Sequence, residues 1–337
     1  MSQKSVVSRL VAGFGTSAAA TLVIAAAFAA MLALMFAAQD EVLTRDREER
    51  VRAVGQMLGS AFDEAAHFAL SHAEAMGQRA AVRKALAETD RDGLLALSKP
   101  TWDYLSAQAG VQIFGYHSPD LKYFLRVHRP DGPIDDISRG RPMVLAANRS
   151  GRAQSGLEIG ITGIVGARGI AVIRENDRLL GTVEVGLDLD PLLEKIKTLT
   201  NADIAVVLGR SLTGLPAEGR APGTGPAVGD LIVTASTDEA RFVAMARDGR
   251  LALSRETSVH DTLVDGVVTA VLVQPLVDFS GRLIGDLVVS RAFPDHQAEA
   301  RRIRTELTVT AVVGGILAFV VLAVLVGVGR ARREGGE

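Results

Sequence analysis

Two stretches of this sequence do not belong in water, and they constrain the fold more than anything else in it. Between Leu10 and Gln39 (LVAGFGTSAAATLVIAAAFAAMLALMFAAQ) there is no charged residue. As a helix that run extends about 45 Å, against a bilayer hydrocarbon core of about 30 Å. Between Leu307 and Gly329 (LTVTAVVGGILAFVVLAVLVGVG) the chain is again uncharged. Both read as membrane helices, so the part between them is held at both ends.

Lys4 and Arg9 precede the first run, and Arg330, Arg332 and Arg333 follow the second. Short basic flanks stay on the cytoplasmic side. The sequence therefore predicts a two-pass protein of the bacterial inner membrane, with both termini cytoplasmic and residues 40–306 in the periplasm. The basic start and small residues of the first run also suit a cleaved signal peptide, but its apolar part far exceeds the usual length of about 7 to 15 residues.

Bulk chemistry removes several function classes. A net charge of -2 without a basic stripe gives no footprint for nucleic acid. With no cysteine, disulfides, thiolate catalysis and Cys-ligated metals are excluded. The six histidines are scattered, and the one close pair, His67 and His72, is five apart on a helix, which does not put both on one face. No metal or cofactor is expected. Nor is an enzyme, since no nucleophile or acid/base framework is recognisable. The glycines of GITGIVG do not lead from a strand into a helix, which argues against a phosphate loop. Asn148 in NRS matches a glycosylation acceptor, for which a bacterial periplasm has no use.

After the first apolar run, proline-free sequence places Val51, Val54, Leu58, Phe62, Ala65 and Ala69 at steps of three and four. This predicts a long amphipathic helix that packs on a sheet and also offers a homodimer seam. From Val111 the pattern becomes short and alternating: VQIFGY, YFLRVHR, SGLEIG, RGIAVI and LLGTVEVGL, separated by turn residues. RPMVLAANRSG reads as a short helix with Pro142 in its first turn and Gly151 at its end. Residues 169–191 align with 270–294 and share Arg-Leu-aliphatic-Gly at Arg178 and Arg282. A repeated strand, turn and strand implies two modules in tandem. DHQAEARRIRTEL then leads as a helix into the second apolar run.

The string FLRVHRPDGPIDDISRGRPMVLAANRSGRAQSGLEIGITGIVGARGIAVI, then LLGTVEVG and PLVDFSGRLIGDLVVSRAF, resembles the double Cache sensory domain of bacterial chemoreceptors and sensor kinases. The motifs F-L-R-x-H, D-D-x-S, R-P-x-V-x-x-A-N-R and G-L-E-x-G occur in order, and the resemblance covers residues 43–293. It implies an α+β fold: a long N-terminal helix backing two tandem PAS-like antiparallel sheets, with a small-molecule site in the membrane-distal module. The expected organisation is a cytoplasmic N-terminus (1–9), a membrane helix (10–38) and a periplasmic sensor (40–306), then a second membrane helix (307–329) and a cytoplasmic tail (330–337). Within the sensor, helices occupy 40–108, the membrane-distal module 109–208, the membrane-proximal module 209–293 and an exit helix 294–306. Family members continue into a cytoplasmic output domain, whereas this sequence ends at RARREGGE. The output is therefore expected from a signalling partner in trans. Amino-acid-binding members follow their arginine closely with Trp and Tyr, but Val127 and His128 follow Arg126, which argues against an α-amino acid.

Phe124 to Pro142 gathers four arginines, a histidine and three aspartates into nineteen residues. Alternation puts Phe124, Arg126 and His128 on one strand face, and Leu125 and Val127 on the other, toward the long helix. Phe114 and Tyr116 share a face of the neighbouring strand and are expected to wall the pocket. Arg126 is suited to hold a carboxylate or phosphate bidentately, with His128 donating to the same group or sensing pH. The structural alternative pairs Arg126 with Asp136, Glu158 or Glu184. The segment 135–142 is expected to cover the pocket, with Asp136 for an amine and Arg141 for an acid, while Asp135 and Arg139 cap or pair. Glu158, between apolar neighbours, suits an amine or Arg168. The candidate ligand residues are thus Phe114, Tyr116, Phe124, Arg126, His128, Asp136, Arg141, Glu158 and Glu184.

These readings point to a membrane-anchored sensor for a small, carboxylate-bearing ligand that passes a helix displacement inward for chemotaxis or two-component signalling. The alternative is a non-binding regulatory subunit, or the remnant of a truncated chemoreceptor, that dimerises with a full-length receptor or kinase.

Overall fold

The computed structural model describes residues 3–160, 163–215 and 225–334, with side chains from Leu22 onward for most positions. The chain divides into two compact units. One comprises Met1–Arg47, Leu263–Val268 and Phe293–Glu337, and the other Glu48–Thr262 and Thr269–Ala292.

The first unit contains the start of α1 (Gln3–Gly77) and α8 (Pro294–Glu334). Both helices are long and apolar enough to cross a membrane; their most apolar windows average 1.5 and 1.6 in hydropathy, with none of either window buried.

The second unit holds the rest of α1, followed by α2 (Ala80–Ala87) and α3 (Arg91–Ala109). Asp90 caps α3 by accepting from Gly93 N at 2.9 Å, and Gly110 ends it in the left-handed conformation. Next come β1 (Val111–His117), β2 (Tyr123–Arg126), α4 (Pro142–Ser150), β3 (Gln154–Ile159), β4 (Val165–Glu175) and β5 (Arg178–Asp188). These five strands form one sheet in the order β2-β1-β5-β4-β3, every neighbour antiparallel. As the sequence implies, α4 begins at Pro142 and stops at the left-handed Gly151.

Helix α5 (Asp190–Thr200) connects to β6 (Asp203–Gly209), α6 (Arg210–Thr213), β7 (Ala227–Val228), β8 (Leu231–Ser236), α7 (Glu239–Arg247), β9 (Ser258–Val264), β10 (Val267–Val277) and β11 (Leu283–Ala292). The second sheet has the order β7-β8-β6-β11-β10-β9. β6 pairs with β8 and β11, so the expected module boundary at 208 and 209 moves back to the α5 region. The internal repeat corresponds to the antiparallel pairs β4-β5 and β10-β11.

Helix α1 is bound to both sheets by its apolar stripe. Val51, Val54, Leu58, Phe62, Ala66, Ala69, Ala73 and Met76 are buried. From Val51 to Met76 they advance 25 positions in seven steps, close to the helical repeat. Ala66 takes the place expected of Ala65, which is only partly covered. Each fully buried large side chain contributes about 1.5–3 kcal/mol. At Gly55 an added Cβ would lie 2.5 Å from Leu272 on β10. At Gly169 on β4 it would lie 2.0 Å from the backbone nitrogen of Leu70, so helix and strand touch main chain to main chain.

The modules also meet at the β10-β11 turn. Phe279 donates its N–H to Leu157 O on β3 at 2.9 Å and packs beside Tyr123, Ile137 and Met143.

Candidate functional site

The five-stranded sheet has an apolar face and a charged one. Val111, Phe114 and Tyr116 of β1, Leu125 of β2, Ala171 and Ile173 of β4, and Val183 and Val185 of β5 pack against α1, α2 and α3. A register shift between Val111 and Ile113 lets Val111 and Phe114 share that face. On the opposite face, register aligns Ile170 with Glu184 and Glu184 with Gly115, then Arg168 with Gly156 and Gly186. Directly opposed residues share a face. Arg168, Glu184 and His117, with Glu158 from β3, therefore converge on the side away from the long helix.

Arg141, just before α4, comes down onto this face and completes a cluster of paired charges. Its Nη2 lies 2.8 Å and its Nε 3.0 Å from Glu158 Oε2. Its Nη1 donates to Glu184 Oε2 at 3.0 Å, and its Nη2 also bonds Glu184 Oε1. Arg168 Nη1 reaches Glu184 Oε1 at 2.6 Å, and Met143 N donates to Glu158 Oε1 at 2.8 Å. Tyr123 donates its hydroxyl toward Glu184 Oε2 at 3.4 Å. Tyr123 fits there because residue 115 is glycine: a Cβ would sit 2.5 Å from its ring. All four charged groups are at most 4% exposed.

Such burial is tolerable only with pairing, and the protonation states follow from it. Burial alone would raise Glu184, but Arg141 and Arg168 outweigh it and hold this carboxyl well below its usual range. Burial likewise opposes the charge on Arg141, yet Glu184 and Glu158 raise its pKa. His117 is fully buried, and desolvation lowers its pKa despite Glu184 Oε2 at 3.3 Å; its Nδ1 meets Thr182 Oγ1 at 3.0 Å. Burial, then the charge of Glu184, raises Tyr123. The result is two cations, two anions and a neutral imidazole, a charge-balanced group fixed from four strands and the start of one helix.

Arg141, Glu158 and Glu184 of the expected ligand residues come together here. The others are placed differently. Gly115 pairs with Arg126, so Phe114 and Tyr116 face the helices on the side away from Arg126. Tyr116 bonds Ser98 Oγ at 2.8 Å, and burial raises its hydroxyl to about 12. Phe124 also packs onto the helix-side core, in place of the expected shared face with Arg126. Arg126 stacks 3.8 Å above the Tyr123 ring and binds Asp135 at 2.8 and 3.1 Å. Its partner is therefore Asp135, rather than Asp136, Glu158 or Glu184. His128 Nδ1 lies 3.0 Å from Phe114 O, and burial lowers its pKa. Asp136 is exposed and accepts from Ser138 N at 2.8 Å. Ile137, buried with Met143 and Tyr123, anchors the 135–141 segment over the charged face.

Sequence reasoning missed His117, Tyr123 and Thr182, and treated Arg168 only as a partner for Glu158. An arginine inside VGARGIAVI and a histidine closing VQIFGYH were the available signals. Arg168 shares its face with Ile170, and both residues stand opposite the side of the sheet that packs on the helices. Among the described residues no three His, Asp or Glu side chains gather as a metal site.

The family described as the double sensory domain of two-component sensor kinases matches residues 46–294. The chain belongs to the double Cache family. Solved structures are similar at low identity. The sensor domain of the histidine kinase DctB from Vibrio cholerae is 10% identical at a TM-score of 0.46, over 76% of this chain and 99% of that one. A chemoreceptor ligand-binding domain from Campylobacter jejuni, in complex with 4-methylisoleucine, is 7% identical at a TM-score of 0.46, over 75% and 92%. The ligand-binding domain of an amino acid chemoreceptor from Pseudomonas aeruginosa, in complex with L-Arg, is 17% identical at 0.42, over 74% and 96%. No curated protein sequence matches. A double Cache domain between two apolar helices fits a membrane-anchored sensory protein with its ligand-binding part outside.

Proposed function

We propose that this double Cache protein is a two-pass sensor of the bacterial inner membrane. Its sensory unit faces the periplasm and binds a small carboxylate-bearing molecule, and it signals as a homodimer to a partner of the chemotaxis or two-component kind. The observation that carries the ligand class is the pair Arg126–Asp135. It lies beside the buried cluster, with Arg126 13% and Asp135 44% exposed at the side chain. Asp135 there presents to Arg126 the carboxylate that a ligand would bring, and exchange with it costs no net charge. Release of Asp135 would remove one tie on the 135–141 segment, which leads through Arg141 into α4. Phe279 links this region to the second module, and α1 runs beneath both sheets into the apolar run, which is the route for a helix displacement.

A thermal-shift screen of the full chain in detergent against mono- and dicarboxylates, amines and neutral solutes tests this. Stabilisation by a carboxylate that Arg126→Ala abolishes and Arg126→Lys weakens is the expected result. Arg126→Ala binding as well as wild type would overturn it.

One observation favours the second reading, a non-binding regulatory subunit: Arg126, Arg141 and Arg168 all have internal acids. That reading predicts no shift with any solute, and cross-linking in membranes to a receptor or kinase.

A further inference from the structure

The first unit contains a cavity of about 570 Å3, lined by α1, α8 and Val268. That volume is typical of sites for small groups, about 300–1,000 Å3. The side chains that matter are Asp40, Thr44 and Arg47 from α1, with His296, Arg301 and Arg304 from α8.

Its lining carries three guanidinium groups against one carboxylate. Asp40 is taken by Arg304, whose Nη2 reaches its two oxygens at 2.7 and 2.6 Å. Arg47 donates to Thr44 Oγ1 at 2.9 Å, and His296 lies 3.2 Å from Asp46. Arg301 spends only its Nε, on the Gln297 carbonyl of its own helix at 3.3 Å. Its two terminal nitrogens meet no carboxylate among the described residues, so a planar two-pronged donor is presented without an anion.

The cavity also has a defined depth. Asp40 follows directly on the uncharged run that ends at Gln39, and Arg304 stands three residues before the run that begins at Leu307. The guanidinium of Arg304 lies 5.9 Å from the ring of Phe36, inside the first apolar run. Val309 and Val312, on the next turns of α8, are exposed. Basic side chains at the ends of membrane helices sit at headgroup level.

From this we infer that the cavity binds a phosphate group presented by an anionic membrane phospholipid, with Arg301 as its main ligand and Arg47 supporting it. Acyl chains of the same molecule would then lie along the apolar segments of α1 and α8. The shared chemistry with free phosphate is recognition of a phosphate oxyanion by guanidinium. Location at the edge of the apolar runs selects the lipid, and this step rests on the proposed membrane crossing. A lipid so held would touch both helices that lead out of the membrane, so its occupancy would bear on how they move.

The test uses the full chain in neutral detergent, with lipid retention read by native mass spectrometry. Phosphatidylglycerol, phosphatidylcholine and inorganic phosphate are offered to wild type, Arg301→Ala and Arg301→Lys. Wild type is expected to retain phosphatidylglycerol over phosphatidylcholine. Arg301→Ala should lose about tenfold in affinity, the worth of one charge-assisted hydrogen bond, and Arg301→Lys should recover part of it. Equal retention by wild type and Arg301→Ala overturns the site. Binding of inorganic phosphate without lipid overturns the lipid as its source. Carbonate extraction of membranes separates this from the anchoring itself: an extractable chain defeats the membrane crossing, whereas a resistant chain with no lipid preference defeats only this site. Arg301 is exposed, so the variants are expected to keep the wild-type melting temperature.

Discussion

Arg141 grips a single oxygen of Glu158 with two nitrogens, Nη2 at 2.8 Å and Nε at 3.0 Å. The other oxygen of Glu158 holds the first turn of α4 through Met143 N. Removing Arg141 would leave Arg168 as the one guanidinium paired with Glu184 among the described residues, and Glu158 with Met143 N and a long approach from Arg168 Nε at 3.7 Å. Breaking a buried pair in this way costs about 3–5 kcal/mol. Arg141→Ala is expected to lower the denaturation midpoint accordingly. Arg141→Met combined with Glu184→Leu, which removes one charge of each sign, should cost less than Arg141→Ala. A single variant within about 1 kcal/mol of wild type would show that the cluster is not structural.

His117 supplies a pH dependence with a definite sign. Its folded pKa lies below the ordinary value of 6.5 because burial disfavours the imidazolium. As pH falls below 6.5 the unfolded chain takes up a proton that the folded chain refuses, so stability declines in that direction. His117→Gln should flatten the profile just below pH 6.5. The measurement is melting temperature against pH, made in an Asp286→Asn background to remove an opposing slope.

That opposing slope comes from a buried carboxyl in the second sheet. Asp286 is 2% exposed; its Oδ2 accepts from Ser254 N at 3.0 Å, and its Oδ1 has no hydrogen-bond partner among the described residues. Burial, only partly offset by Ser254, pushes its pKa from 3.8 up to about 6. An acid with a raised folded pKa weakens the fold as pH climbs from about 4 to about 6, because the unfolded chain ionises first. Asp286→Asn should therefore stabilise at pH 8 and bring no gain at pH 4. An effect on the order of 1 kcal/mol moves the melting temperature by roughly 2–4 °C in a domain this size. Destabilisation at pH 8 would show that the carboxylate is needed ionised, and so has a partner beyond the described residues.

What could be read from the sequence was whatever depends on near neighbours. The α1 stripe, the Pro142 start and Gly151 stop of α4, and the β4-β5 and β10-β11 repeat all come from spacings of a few residues. Register does not. Alternation says that Phe114 and Tyr116 share a face, but only the pairing of Gly115 with Arg126 decides that it is the face turned away from Arg126. Likewise β6 follows the first sheet in sequence, and its membership of the second depends on Asp286 pairing with Val207, 79 residues away. Arg141 and Arg168 were both visible as charges among apolar residues. Their shared acid, Glu184, lies 16 residues from one and 43 from the other.

Two glycines of opposite character test how closely α1 is seated. Gly169 has no room: an added Cβ would lie 2.0 Å from Leu70 N and 2.3 Å from its Cα, both main-chain atoms that cannot swing aside. Gly169→Ala must push α1 off β4, and overpacking of this kind costs about 1–3 kcal/mol or more. Gly59, mid-helix on α1, has no described atom beyond its own helix backbone within 4 Å of an added Cβ. Gly59→Ala gains the helix preference of alanine, about 1 kcal/mol. Chemical denaturation of the two variants should therefore move in opposite directions from wild type. If Gly59→Ala destabilises instead, this face of α1 is covered in the native protein, and cross-linking through a cysteine placed at residue 60 would then report a second copy of the chain across the expected dimer seam.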